Sequence, residues 1–401
     1  MKRIIALLNI LALLAFAMAA GLAEPEEPYF RIDRDDPEAW SRELANVRLL
    51  TKGRYTLKPL RSRSGEDTGH VPSLEGMDTL NISGSAQYSQ RQFRDLATTL
   101  RECAGDDPIY VVDLRQESHA LVNGIALSVY AGRNSANRGM TAAQVEADER
   151  QRFGSLPGTT FTAYTSGRNK TPVTIDARTW MAERALAESE GFGYLRIAAT
   201  DMLWPDAALI DEFIEFVQGL DMDHVWLHFH CQAGFGRTGV FMCIYDMMKN
   251  PGVPLEDIVT RQAMTGSEYL LHSWGGTLSI DGDKSKMIRL VYDYIQENRA
   301  SDYEVRWSDW VKAHTRVEMP NLSDYDVLYL SDNLTVIEQG AYAGTDAQII
   351  VIPKGCTKIR ADAFSGASRL EYIIVPDDAE IFLSPGALSG TDATIVWDTG
   401  A

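Results

Sequence analysis

One stretch limits what this chain can fold into more than any other. Residues 224–240 read His-Val-Trp-Leu-His-Phe-His-Cys-Gln-Ala-Gly-Phe-Gly-Arg-Thr-Gly-Val, and an apolar run then continues to Asn250-Pro251-Gly252. Val225, Leu227 and Phe229 alternate with Trp226, His228 and His230, which is the period of a strand. Beyond Arg237, the apolar residues Val240, Phe241, Ile244, Met247 and Met248 recur at helical spacing. Cys231 is therefore expected in a tight loop between the end of a strand and the start of a helix.

Such a loop welcomes an anion, because the first amides of a helix lack an acceptor within it and carry the positive end of its dipole. Gly234 and Gly236 let the backbone of Gln232, Ala233, Gly234, Phe235 and Gly236 turn its N–H groups inward around a phosphate. Arg237 offers a planar fork matched to two oxygens of a tetrahedral ester. The same field favours the thiolate of Cys231, which is the nucleophilic form. A buried cysteine in a strand-turn-helix unit would explain a lone Cys, but not this ordered set. The set resembles the signature of the cysteine-dependent phosphatase superfamily: His-Cys, five residues, then Arg and Ser or Thr. His230, Cys231, Arg237 and Thr238 match it residue for residue. Thr238 is the candidate to stabilise the departing thiolate, and His230 to hold the loop.

A length of 401 residues suggests two or three domains. The net charge of −18 argues against nucleic acid as a partner, so an anionic substrate needs a local basic pocket. Cys103, Cys231, Cys243 and Cys356 lack metal-ligand spacing, and the reading includes no disulfide framework, no zinc and no other cofactor. Lys2 and Arg3, the apolar run Ile4 to Ala17 and small residues through Ala23 predict a signal peptide over 1–23. The run is too short for a comfortable membrane span. A secreted, periplasmic or cell-surface bacterial protein follows.

In chain order, residues 29–75 are charged and read as irregular, with Arg48, Lys52, Arg54, Lys58, Arg61 and Arg63 assigned mostly to a solvated face and some of them to the active site, and 88–104 reads as a helix. Ile109 to Val112 is a short buried strand ending at Asp113-Leu114-Arg115-Gln116-Glu117-Ser118-His119, and polar residues beyond a strand's carboxyl end lie where open α/β sheets bind ligands. Residues 121–182 read as an inserted β-rich subdomain with a helix at 142–152. In it Gly167-Arg168-Asn169-Lys170 puts two cations on a turn, as a solvated tip or a substrate contact. A helix over 178–190, a strand over Tyr194–Ala199 and a helix through Leu209 and Val217 lead back to the Cys231 strand. Alternating strands and helices predict an α/β fold: a mostly parallel sheet with helices on both faces.

Two carboxylates compete for general acid. Trp204-Pro205-Asp206 spells the mobile-loop tripeptide of tyrosine phosphatases, but Asp206 stands just before a helix, where an Asp serves as N-cap. Asp201 follows the strand directly, at the sheet edge expected to carry Cys231, and is the choice.

Asp113 to His119, Arg196-Ile197-Ala198-Ala199-Thr200-Asp201, Trp226 to Cys231 and Gln296-Glu297-Asn298-Arg299-Ala300 together resemble the bacterial tyrosine-phosphatase-like inositol polyphosphatases, the cysteine phytases, over roughly residues 75–315. The resemblance implies a tyrosine-phosphatase-like fold, Asp201 as general acid and Lys170 as a substrate-binding Lys; Arg168, beside it on the turn, is a further candidate for substrate binding. Gln232 stands where the family usually has Glu, and Gly239 where it has a second Thr. Arg261 and Gln262 read as exposed helix residues, and Lys284, Lys286 and Arg289 as candidates for the pocket rim.

The last part of the chain differs in kind. Gly340-Ala341-Tyr342-Ala343-Gly344 recurs as Asp362-Ala363-Phe364-Ser365-Gly366 and Gly386-Ala387-Leu388-Ser389-Gly390, and Ile349 to Pro353 recurs as Tyr372 to Pro376. A period of roughly 22 to 24 residues is that of a leucine-rich-repeat solenoid, and the units resemble BspA-type repeats. The organisation expected is a signal peptide (1–23), a phosphatase domain (24–317) and repeats (318–401). The expected activity is hydrolysis of inositol polyphosphates through a cysteinyl-phosphate. The alternatives are a phosphotyrosine or dual-specificity phosphatase, and a surface protein whose repeats bind a cell-surface or host ligand beside a vestigial phosphatase domain.

Overall fold

The computed structural model describes residues 28–33, 44–60, 69–166, 170–271, 277–278, 284–315 and 319–376, and near the C-terminus 379, 381–384, 386–388, 390–391 and 393–398. The signal peptide expected over 1–23 and the candidate Arg168 lie outside these residues. Among the described residues no helix is long and apolar enough to cross a membrane.

The sheet that carries the Cys231 segment has five strands in the order Gly193–Arg196, Ile109–Asp113, Trp226–His230, Ile82–Ser85 and Arg48–Leu50. The first four run parallel, and Arg48–Leu50 closes the edge antiparallel. Trp226–His230 is buried along its whole length, which is why its residues are apolar on one face and aromatic or imidazole on the other. Leu227 and Phe229 join a core with Phe213 and Ile214 of helix Ala207–Gln218 and Phe241 and Tyr245 of helix Gly236–Lys249. Trp226 joins a second core with Phe93 and Leu96 of helix Gln90–Ala104 and Leu186 of helix Glu183–Ser189. Helices thus cover both faces, as the alternating pattern requires.

Register decides where the chemistry gathers. Asp113 pairs with both His230 and Arg196, and His230 also pairs with Ser85, so four parallel strands end in one row. The segments after Ser85, Asp113, Arg196 and His230 therefore meet along one edge of the sheet.

The inserted β-rich unit is larger than its sequence suggested. Six strands run in the order Pro172–Asp176, Thr160–Thr165, Tyr29–Ile32, Ile125–Tyr130, His119–Val122 and Trp180–Met181. The sheet begins at His119 rather than near residue 121 and takes Tyr29–Ile32 into its middle. That strand is four residues long and paired only with distant partners, so the region 29–75 offered no local signal for it. Helix Ala142–Gly154 lies in this part of the chain, capped reciprocally by Thr141 and Gln144.

The C-terminal region stacks strands in parallel. Val327–Tyr329, Ile349–Val351, Tyr372–Pro376 and Thr394–Asp398 form one sheet, with partners such as Val327, Ile349, Tyr372 and Thr394 in register. Hydrogen bonds tie equivalent positions of successive units, Asp326 to Gln348 and Gln348 to Glu371. A second sheet stacks Val336–Ile337, Lys358–Ile359 and Ile381–Leu383, and Thr277–Leu278 adds to it antiparallel. Between them lies an apolar core of Ile337, Ile350, Ile359, Phe364, Ile373 and Ile381.

Candidate active site

The loop after His230 is held so that its carbonyls face away from its centre. The Gln232 carbonyl accepts from the Gln87 amide (3.1 Å), that of Ala233 from the Asn46 side chain (2.7 Å), that of Gly234 from Arg48 Nη1 (2.8 Å), and that of Phe235 from the Gly239 and Glu268 amides (3.1 and 3.4 Å). None of the amide N–H groups from Cys231 to Thr238 finds an acceptor among the described residues. Donors left over at the start of a helix, with every neighbouring carbonyl engaged elsewhere, form a cradle for an oxyanion.

Gly234 makes the turn with φ 69°, and a Cβ there would lie 2.4 Å from the Ser85 carbonyl. Only glycine fits. Cys231 is buried at the base of the loop. The Thr238 hydroxyl, also buried, has no hydrogen-bond partner and stands on the first turn of helix Gly236–Lys249.

Both departures from the family pattern have a physical reason. Gln232 Nε2 donates to the Asp33 carbonyl (2.9 Å), a bond that a Glu carboxylate cannot make. That side chain is thereby engaged at the end of strand Tyr29–Ile32, which leaves the Gln232 backbone to face an anion. At Gly239 a Cβ would stand 2.8 Å from the Ser267 Cβ, so a Thr in that place would force the neighbouring segment away.

Arg237 is oriented by a carboxylate that its own segment does not contain. Its Nη1 and Nη2 donate to the two oxygens of Glu117 (2.7 and 3.1 Å), and Nη1 also reaches Gln116 Oε1 (3.0 Å) and the Ala199 carbonyl (3.2 Å). Glu117 is in turn held by Arg115 Nε (2.8 Å), and Arg115 by Asp33 (2.9 Å). All these side chains are buried. Burial alone would raise Glu117, but the guanidiniums of Arg237 and Arg115 hold its carboxyl well below the usual range. Burial opposes the Arg237 charge, and Asp201 and Glu117 more than restore it.

Asp201 stands at this site. Asp201 Oδ1 lies 3.3 Å from Arg237 Nε, Oδ2 accepts from Asn134 (3.0 Å), and the Asp201 amide donates to Gln116 (3.0 Å). The next residue, Met202, takes φ 68° and is exposed, a conformation that turns the chain sharply behind the carboxylate. Asp206 precedes helix Ala207–Gln218 as expected, but its side chain makes no capping hydrogen bond. With φ −53° and ψ 145° it occupies the N-cap position without performing the N-cap bond.

His230 points away from the loop. Its Nε2 lies 2.5 Å from Glu183 Oε1, and its backbone carbonyl accepts from the Leu114 amide, so its hold on the loop passes through the strand. Ligand atoms of Asp113, Glu183 and His230 lie within 4.8 Å of one another, a spacing that could hold a metal ion. Arg196 (3.4 Å from Asp113) and His119 (3.3 Å from both Asp113 and Glu183) already bring cationic partners to that cluster.

Lys170 sits over the rings of Tyr29 and Tyr130 (4.7 and 5.9 Å), at the far end of the strand whose other end, Asp33, accepts from Gln232. Lys284 lies nearer the loop: it pairs with Glu268 at 2.8 Å, and both would face a Cβ on Gly236. Arg261 and Gln262, expected on a solvated helix face, are buried and bonded to Asp246, with Arg261 also reaching the Ser73 and Glu75 carbonyls. Their polar spelling concealed a buried charge pair.

Sequence reasoning placed Gln116 and Glu117 at the ligand-binding edge without giving them a role. It missed Asn46 and Asn134, which come from distant parts of the chain and carry no motif, and it did not single out Arg48 from the basic residues of 29–75, most of which it gave to a solvated face; Arg48 is buried.

Comparison with known proteins accords with this geometry. Residues 158–249 match the model of the PTP-like phytase family (inositol hexakisphosphate). The effector protein hopD2 of Pseudomonas syringae pv. tomato is 27% identical over 263 residues, 62% of this chain and 55% of that protein. A PTP-like myo-inositol phosphatase from Mitsuokella multacida, solved with myo-inositol-(1,3,4,5)-tetrakisphosphate, is 34% identical with a TM-score of 0.63, over 74% of this chain and 52% of that one. A PTP-like phytase from Bdellovibrio bacteriovorus is 25% identical with a TM-score of 0.51, over 72% of this chain and 95% of that one. The chain thus spans about half the length of the first two proteins, and its mixed α/β fold is that of the PTP-like phytases.

Proposed function

We propose that this chain is a phosphoric monoester hydrolase that removes phosphate from inositol polyphosphates through a cysteinyl-phosphate. The observation that carries the reading is the loop itself: outward carbonyls, amides from Cys231 to Thr238 without acceptors, and Arg237 locked by Glu117 beside Asp201. Preorganised donors of this kind act on the charge that develops at phosphorus without reorganising during reaction.

The Cys231 thiolate attacks phosphorus in line, the S–P bond forms, and Asp201 gives its proton to the departing alkoxide. Asp201, now a carboxylate, takes a proton from water as that water attacks phosphorus; the P–O bond forms, the S–P bond breaks, and the electron pair returns to sulfur. In this reading the Thr238 hydroxyl, buried on the first turn of the helix after the loop, donates to that sulfur. Inositol polyphosphates suit the site because Lys284 beside the loop and Lys170 along the insertion offer cations for phosphates other than the one attacked. This preference draws support from the inositol tetrakisphosphate bound to the Mitsuokella protein.

The parallel stacking of the C-terminal strands supports reading residues 318–401 as short BspA-type leucine-rich repeats. The pattern of residues 1–23 supports secretion to the periplasm, the cell surface or beyond.

Phosphate release from phytate by the full chain and by Cys231→Ser tests the activity. The wild type should turn over, and the variant should fall by about 10⁴-fold or more. Equal release by both would remove the reading. Turnover of phosphotyrosyl peptides much faster than of phytate would keep the chemistry but replace the substrate.

A further inference from the structure

Arg48 is a buried cation with no carboxylate partner among the described residues. It begins the edge strand Arg48–Leu50, pairs in register with Gly84, and is 5% exposed. A Cβ on Gly84 would lie 2.9 Å from the Arg48 Cζ and 2.8 Å from Met242 Sδ, so Gly84 is the notch that lets the guanidinium lie across the sheet beneath the loop. There Nη1 donates to the carbonyls of Gly234 (2.8 Å) and Asn46 (3.3 Å), and Nη2 to Ser267 Oγ (3.1 Å) and Met242 Sδ (3.2 Å). Nε has no partner. Neutral acceptors orient this fork but do not balance its charge.

A buried, uncompensated charge is costly, so its counter-charge must be sought nearby. Burial draws the Arg48 guanidinium down to about 10, and the charges of Cys231 and Cys243 oppose that pull. Arg48 therefore remains a cation at neutral pH. Cys243 does not supply the anion, because burial and Asp246 push its thiol well above the ordinary range. The other charged groups beside the loop are already matched: Arg237 by Glu117 and Asp201, and Lys284 by Glu268. Cys231 supports the charge of both Arg237 and Arg48, but Arg237 already has Glu117 and Asp201, whereas Arg48 has no carboxylate among the described residues.

We propose that Arg48 is a positioning residue: it fixes the Gly234 carbonyl outward and supplies the counter-charge for the Cys231 thiolate from beneath the phosphate-binding loop. This rests on the reading of Cys231 as nucleophile. One consequence concerns the second half of the reaction. When water attacks the phosphocysteine, the electron pair of the breaking S–P bond returns to a sulfur that already has Arg48 as its partner, which favours sulfur as the leaving group.

The test is the pH dependence of Cys231 alkylation by iodoacetamide in the full chain, followed by peptide mapping, for wild type, Arg48→Lys and Arg48→Met. Circular dichroism and thermal melting identify folded samples. Loss of the cation in Arg48→Met should move the half-maximal pH of alkylation upward by about one unit, equivalent to about tenfold less thiolate below that pH. Arg48→Lys keeps a charge on a shorter reach and should stay close to wild type in this midpoint while losing turnover through the freed loop. A purely structural role would lower stability and turnover without moving the midpoint. If Arg48→Met does not fold, Arg48→Gln removes the charge while keeping a polar group, and should show the same upward shift. Unchanged midpoints in the neutral variants, or an Arg48→Lys midpoint as high as theirs, would overturn the proposal. A wild type whose Cys231 alkylates like a free thiol and releases no phosphate from phytate would overturn the phosphatase reading and this inference together, which separates the two failures.

Discussion

The region around Cys231 and the C-terminal repeats are built on opposite principles. The first buries Asp33, Arg115, Glu117, Arg196, Arg237, Asp246 and Arg261, whereas among the described residues from 319 onward no polar or charged side chain is buried. Chains of buried ion pairs contribute little net stability, since desolvation offsets much of their attraction. What they provide here is direction: Asp33 holds Arg115, Arg115 holds Glu117, and Glu117 aims Arg237 at the loop. The repeats need no such aim. They gain stability from Ile337, Ile359, Ile373 and Ile381 stacked one unit on the next, and their period is legible because each unit repeats one local pattern.

This contrast can be broken in several ways. The largest effect is expected at the acid: Asp201→Asn should lower phytate turnover by about 10²- to 10⁴-fold, and Asp206→Asn should stay within about threefold of wild type. The reverse ranking would return the role to the Trp-Pro-Asp spelling. Next is Glu117→Gln, which leaves two guanidiniums underpaired in a buried place. Denaturant melts should show a loss of about 3–5 kcal/mol, and turnover should fall roughly 10²-fold as Arg237 loses its fixed orientation. Activity near wild type would show that the ladder does not aim Arg237.

In the repeats, Ile373→Ala should cost about 2–5 kcal/mol of their stability and leave phytate turnover unchanged. A matching fall in kcat would show that the two regions are energetically one. The smallest effect is a pH dependence. Burial, and then the charge of His230, pull His228 down from 6.5 to about 3 between Ser83 and Ser85. A depressed histidine contributes stability above its unfolded value, and that contribution is lost as pH falls from about 6.5 toward 3, by about 1.4 kcal/mol per unit. Unfolding free energies measured at pH 7, 6, 5 and 4 should show this slope, and His228→Gln should flatten it. An equal slope in the variant would assign the acid sensitivity to other groups, such as Glu117.

The strand, loop and helix around Cys231 were legible because strand Trp226–His230, the loop and helix Gly236–Lys249 are contiguous, and each local choice agrees with the next. The placing of Asp201 at this edge was legible because its segment leaves a strand of the same sheet, although that strand ends at Arg196 rather than at Ala199. What escaped the sequence is non-local. Strand Tyr29–Ile32 finds its partners near residues 130 and 164, and Asn46, Arg48 and Asn134 reach the site only after folding. Arg261 and Gln262 show the converse error. A polar helical spelling was read as a solvent face, but Asp246 on the neighbouring helix makes it an interior contact.

The central claim is that a ring of unengaged amides and one aimed guanidinium keep the Cys231 sulfur ionised and an oxyanion bound above it. The direct measurement is the rate at which iodoacetamide labels each of the four cysteines at pH 6, with and without inorganic phosphate or vanadate. Burial raises the thiols of Cys103, Cys243 and Cys356, so the account predicts fast labelling of Cys231 alone and strong protection of it by either oxyanion. Labelling of Cys231 no faster than of Cys103, with no protection by phosphate or vanadate, would contradict it.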